Sequence, residues 1–169
     1  MLKKDFPKRK NPRLKGYDYS KGGGFFITVC TEERKNVLSE ICRGDPCGRQ
    51  QIKLTELGEI AERVLKSLEE KYESILDEYV IMPDHIHFLI FIKNERATAR
   101  VAPTLGRIIG AYKSLVTNEW RKICNERNKI SGKIWQRNYY EHIIRSEKDF
   151  EEIKEYIFYN PEKRFFENV

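Results

Sequence analysis

Residues 79–92 read YVIMPDHIHFLIFI, and the fold turns on how this stretch is arranged. Two apolar runs, Tyr79–Met82 and His85–Ile92, flank the turn signal Pro83-Asp84, so they are expected to pair as a hairpin. The second run is apolar at almost every position, which predicts a central strand buried on both faces. His85 and His87 stand two apart and therefore project from one face of that strand. Buried imidazoles need polar partners. Two of them fixed side by side make either half of a metal site or a hydrogen-bonded core pair, and the spacing alone does not choose.

Outward from this hairpin, KGGG leads into FFITVCT (25–31), a β-branched and aromatic run that reads as the first strand. A long loop through Pro46 and Gly48 follows. From Thr55, apolar residues Leu57, Ile60, Ala61, Val64, Leu65 and Leu68 recur at helical spacing to about Tyr72. Beyond the hairpin, Pro103 precedes a second helical pattern, from Leu105 through Trp120 toward Cys124. A polar connector through Gly132 leads to a strand over YYEHIIR (139–145). A last helix over 147–160 stops at Pro161. The order suits an α+β fold, an antiparallel sheet with helices on one face.

The 169 residues fit one domain, and 40% hydrophobic content argues against global disorder. The formal charge of +6 is concentrated: residues 1–21 hold eight basic residues against two acidic ones, and the rest of the chain is balanced. We therefore divide the chain into a basic arm over 1–24 and a domain over 25–169. Such an arm, with Lys8, Arg9, Lys10, Arg13 and Lys15, is a footprint for a polyanion, or else a solvated tail. No apolar run is long enough to span a membrane and no signal peptide is evident, so a cytoplasmic location and no membrane partner are expected. Cys30, Cys42, Cys47 and Cys124 follow no disulfide pattern. Free thiols are expected, since a zinc site at Cys42 and Cys47 would need two further ligands.

The final helix places Tyr156 and Asn160 four residues apart, on one face. Such a pair can be a nucleophile beside a ligand, or a packed ring beside a helix-terminating amide. A phenol with a pKa of about 10 needs a base, or a metal that polarises its target, to attack at neutral pH. In WQRNYYEHIIR, Arg137, Tyr139 and Tyr140 mix charge with aromatic rings, the combination that grips single-stranded nucleic acid. The third histidine, His142, lies in the same run.

Five segments together resemble the REP-associated tyrosine transposases, within the HUH superfamily of single-tyrosine transposases: RLKGYDYSKGGGFFITVCT, YVIMPDHIHFLIFI, PTLGRIIGAYKSL, IWQRNYYEHIIR and EYIFYNPEK. They occur in the family's order from Arg13 to Lys163. The resemblance implies an antiparallel sheet flanked by helices, the ferredoxin-like HUH endonuclease fold. It implies that His85 and His87 bind Mg²⁺ or Mn²⁺ with Asn160, and that Tyr156 is the nucleophile. Tyr139, Tyr140 and Tyr159 are then not nucleophiles. Asp84 departs from the pattern, since related sequences commonly carry Asn there, and a carboxylate so near a metal bears on ion preference.

The implied activity is cleavage and rejoining of single-stranded DNA with hairpins, of the repetitive extragenic kind, through a 5′-phosphotyrosine. It would be exercised at the nucleoid, by a monomer or a homodimer. Two other readings remain open on the residues themselves, a nucleic-acid-binding module without catalysis and a metal phosphodiesterase that uses water.

Overall fold

A computed structural model describes residues 22–42, 51–92 and 104–161 of the chain. Its centre is a four-stranded antiparallel sheet built from β1 (Gly23–Cys30), β4 (Ser74–Ile81), β5 (His85–Ile92) and β6 (Tyr140–Ile143), in the order β4-β5-β1-β6. The expected hairpin joins β4 to β5, and Met82 N–H closes it by donating to the His85 carbonyl at 2.8 Å. β5 is central as its composition requires, and seven of its eight residues are buried.

Period-two alternation sends two sets of side chains in opposite directions. Phe25, Ile27, Val29, Ile86, Phe88 and Ile90 form one core with α1 (Glu56–Lys66) and α3 (Leu105–Glu126). Phe26, Val80 and Leu89 form a second with Ile153 and Ile157 of α4 (Glu147–Phe158). Helices therefore cover both faces, not one. The reason lies in β5 itself: a strand apolar on both sides must be covered on both sides.

Strand–helix–strand–strand–helix–strand, with neighbours in this order, is the ferredoxin-like arrangement. Two additions complete it, α4 at the end and a small antiparallel pair, β2 (Ser39–Cys42) with β3 (Gln51–Leu54). This pair occupies part of the segment expected to be a long loop. Its strands, SEIC and QIKL, are four residues each and half-exposed, too short for alternation to stand out.

Other boundaries also move. β4 begins at Ser74 instead of Tyr79, with a register shift between Leu76 and Tyr79 where Asp77 and Glu78 interrupt the apolar run. That irregularity sits on an edge strand, where bulges are common. The helix expected over 55–72 is two, α1 and α2 (Leu68–Tyr72), separated at Ser67. Thr55 caps α1 by accepting from Gly58 N–H at 3.1 Å.

Candidate active site

On the α4 side of β5 the carbon packing is interrupted at one place. Buried His85 and His87 lie there with Nε2 atoms 3.0 Å apart. Each ring is held from behind through its other nitrogen. Asp84 Oδ1 is 2.6 Å from His85 Nδ1, and Thr28 Oγ1 is 2.8 Å from His87 Nδ1. Strand register produces the second contact, because Thr28 of β1 is directly opposite His87. The first follows from the turn, whose Asp84 precedes the strand and is itself buried. The carboxylate thus stands behind His85, away from the converging nitrogens.

One set of neutral tautomers satisfies every contact of the pair. The Asp84 carboxylate accepts from His85 Nδ1–H, so the neutral ring presents a lone pair at Nε2. His87 then donates Nε2–H to that lone pair and accepts the Thr28 hydroxyl at Nδ1. Burial drives the His87 pKa well below the ordinary imidazole value, the neighbouring His85 ring and the Arg34 guanidinium push the same way, and Asp84 opposes. His87 is therefore neutral.

These residues suit a divalent cation. Two ring nitrogens that converge to 3.0 Å are close enough for one ion to be held by both. Both rings already have the outer partners that metal-bound histidines use to fix tautomer and orientation. Thr28 can reverse from donor to acceptor, letting His87 move its proton to Nδ1 and free its Nε2 lone pair. Among the described residues there is no group of three or more His, Cys, Asp or Glu side chains able to hold a metal, and an amide oxygen is a donor of another type. Asn160 is of that type, and it is buried.

The Tyr156 ring centroid lies 5.4 Å from that of His87 and 6.0 Å from that of Phe26, which itself stacks on His87 at 5.2 Å. α4 delivers it because Ile153 and Ile157 are buried against the sheet while Tyr156, between them, is half-buried at the margin. Ser146 caps this helix, accepting from Asp149 N–H at 3.2 Å, and Asp149 in turn holds His142 Nε2 at 2.8 Å. Tyr159 is 41% exposed, unlike its neighbour Asn160.

The residues proposed to hold nucleic acid are distributed unevenly. Tyr140 stands on the histidine face, directly opposite Thr28, with its ring 6.5 Å from Phe26. Tyr139 packs against the other core, and Lys113 Nζ lies 5.7 Å from its ring centroid. Arg137 is exposed in the segment before β6. Lys8, Arg9, Lys10, Arg13 and Lys15 lie outside the described residues, as does Cys47. Cys30, Cys42 and Cys124 are free thiols.

Thr28, Phe26 and Lys113 were not singled out from sequence. A lone threonine on the histidine face of an otherwise apolar strand was the available signal for Thr28. Lys113 had none, because its role is to reach across: Nζ donates to the carbonyls of Gln136 at 3.0 Å and Asn138 at 2.9 Å. Burial lowers its pKa to about 8. A cavity of about 450 Å³ beside Trp120 and Lys133 contains neither histidine nor Tyr156 and is separate from this site.

Residues 25–160, which include nearly all of the sheet and also His85, His87, Tyr156 and Asn160, match the family described as IS200-like transposase. The chain belongs to that family. It is 34% identical to an uncharacterized protein of Haemophilus influenzae over 90% of its own length and 88% of the relative's. A second H. influenzae protein, named as a REP-associated tyrosine transposase, is 28% identical over 90% of this chain and 77% of that one. Among solved structures, a REP-associated tyrosine transposase bound to a REP hairpin superposes with a TM-score of 0.57 at 20% identity, covering 90% of this chain and 74% of that one. A transposase from Deinococcus radiodurans gives 0.51 at 18%, covering 86% and 94%. These two share the fold. The family membership supports a transposase role.

Proposed function

We propose that this transposase-family protein cleaves and rejoins hairpin-bearing single-stranded DNA of the repetitive extragenic kind through a covalent bond to Tyr156. The observation that carries the reading is the approach of the Tyr156 ring to the His85–His87 pair, whose Nε2 atoms converge with their outer nitrogens already engaged. A nucleophile beside a preorganised pair of ligands is what phosphoryl transfer needs.

In the proposed mechanism, His85, His87 and Asn160 would hold Mg²⁺ or Mn²⁺, which would supply Lewis-acid polarisation of the scissile phosphate. The Tyr156 phenol gives up its proton to solvent, and its oxygen attacks phosphorus. The 3′-oxygen of the preceding nucleotide leaves in line and takes up a proton. The phosphoryl group is now linked through its 5′-oxygen to the downstream DNA and through a new ester to Tyr156. Attack by another 3′-hydroxyl reverses the exchange and rejoins the strand. Tyr140 on the same face, exposed Arg137 and the basic arm support a grip on the DNA through stacking and phosphate neutralisation.

The test is a denaturing gel after incubation of labelled hairpin DNA with Mn²⁺. Wild type and Tyr159→Phe should carry DNA covalently. Tyr156→Phe, which keeps the ring and loses the attacking oxygen, should bind DNA and form no adduct. Cleavage with no adduct would establish the water-using phosphodiesterase instead. DNA binding with neither cleavage nor adduct would establish a non-catalytic module.

A further inference from the structure

The turn that follows β1 carries a cation to the edge of the histidine pair. Glu33 and Arg34 both have φ of 55°, two successive non-glycine residues in the left-handed region, which side chains with a Cβ rarely occupy. Such backbone persists only where its surroundings over-determine it, and such places concentrate at functional sites. Here the surroundings are specific. Thr31 N–H donates to the Asp84 carbonyl at 2.9 Å, its hydroxyl lies 2.9 Å from both that carbonyl and the Lys35 carbonyl, and Val37 and Leu38 N–H both donate to the Pro83 carbonyl. The turn is thereby clasped to the Pro83-Asp84 turn that introduces His85.

The charged residues of this turn differ in how they are used. Glu33 pairs with Lys35 at 2.8 Å, and Glu32 pairs with Lys133 at 2.9 Å. Arg34 instead reaches inward, where Nη1 lies 3.4 Å from Asp84 Oδ2, beyond the roughly 2.7–2.9 Å of a strong charge-assisted bond. Its side chain is 53% exposed. Asp84 Oδ1 is meanwhile committed to His85 at 2.6 Å. A chain of contacts thus runs from Arg34 through Asp84, His85 and His87 to Tyr156. Arg34 stands at one end and the nucleophile at the other, with the metal-binding nitrogens between them.

We propose that Arg34 is a phosphate-binding residue of the active site, which exchanges its long contact with Asp84 for the DNA phosphate brought to the histidine pair. This rests on the reading of the site as a DNA strand-transfer centre. A planar guanidinium matches two phosphate oxygens at once, so it both orients the phosphate and offsets the charge that builds on it during transfer. The strained turn fixes the arginine beside the site before DNA arrives, so ordering it costs little at the moment of reaction. Release from Asp84 leaves that carboxylate on His85, so the histidine keeps its orientation.

The experiment compares wild type, Arg34→Gln and Arg34→Lys in two assays. Binding of the labelled hairpin with single-stranded flanks is followed against salt in chelator, where neither metal nor cleavage contributes. Calorimetry with Mn²⁺ alone then reports the histidine pair. Arg34→Gln should flatten the slope of log K against log salt by about 0.7, the value for one lost single-strand phosphate contact. Arg34→Lys should keep the slope, and Mn²⁺ affinity should be the same within about threefold in all three proteins. A tenfold or greater fall in adduct formation should accompany Arg34→Gln. An unchanged slope overturns the proposal even if wild type is an active strand-transfer enzyme. A changed Mn²⁺ affinity with unchanged slope makes Arg34 a support for Asp84 only. A flattened slope in a protein that forms no adduct would overturn the catalytic reading and leave the phosphate contact standing. Failure of wild type to bind the DNA overturns both.

Discussion

The two faces of β5 differ in what they ask of the sequence. On the α1–α3 side, Ile86, Phe88, Ile90 and Ile92 are at most 4% exposed and pack in a cluster of aliphatic and aromatic side chains. On the α4 side, His85 and His87 replace carbon with four ring nitrogens, and the protein must supply Asp84 and Thr28 to satisfy the outer two. One face is filled and indifferent to chemistry. The other leaves two nitrogens converging on each other, a contact that a cation would replace in the proposed mechanism. A strand's period of two lets a single segment carry stability on one side and reactivity on the other, one residue apart.

Adjacent substitutions should separate the two most sharply. Phe88→Ala removes a fully buried ring and should cost about 3–5 kcal/mol in urea unfolding, while the protein that remains folded keeps its Mn²⁺ affinity. His87→Ala should abolish Mn²⁺ binding by calorimetry and cleavage, with the smaller stability loss. If His87→Ala retained Mn²⁺ affinity, or if Phe88→Ala lost it while still folded, the division between faces would be wrong.

A smaller effect is expected one shell out. Thr28→Val keeps shape and β-branching but removes the hydroxyl that lets His87 move its proton to Nδ1. Removing an outer partner of a metal-binding histidine typically weakens metal binding about 10–100-fold. Thr28→Ser, which keeps the hydroxyl, should bind Mn²⁺ nearly as wild type. Equal affinity for Thr28→Val and wild type would mean that His87 is oriented by packing against Phe26 alone.

Most of the sheet was legible because β1, β5 and the β4–β5 turn carry strong local signals. The pairing of Tyr156 with the histidines was legible only through resemblance, since nothing in helical spacing says that α4 lies on the histidine face. Expecting all helices on one face was the same gap: periodicity tells which residues of a strand share a face, not which helix covers it. β2 and β3 escaped because four half-exposed residues owe their conformation to their partner. Arg34 escaped for a different reason. A charged residue in EER reads as solvated surface, and only the backbone conformation of the turn and its clasp on Pro83-Asp84 give it a direction.

The mildest contrast between the faces is a dependence on pH. The Phe88 side carries no histidine, whereas His87 is held neutral by burial, with the neighbouring His85 ring and the Arg34 guanidinium also disfavouring a charge there, so that its pKa lies well below the ordinary value. In the unfolded chain this imidazole takes up a proton near pH 6.5. As pH falls below that value the unfolded state binds a proton that folded His87 refuses, so stability falls. The contribution is fully present above about pH 6.5 and declines by up to about 1.4 kcal/mol per pH unit until the folded pKa is reached. Urea unfolding in chelator at pH 7.5, 6.5 and 5.5 should show it as the difference between wild type and His87→Gln, in which the titrations common to both proteins cancel. That difference should shrink as pH is lowered. If it stays constant from pH 7.5 to 5.5, His87 titrates alike in both states and the fold does not hold its ring neutral.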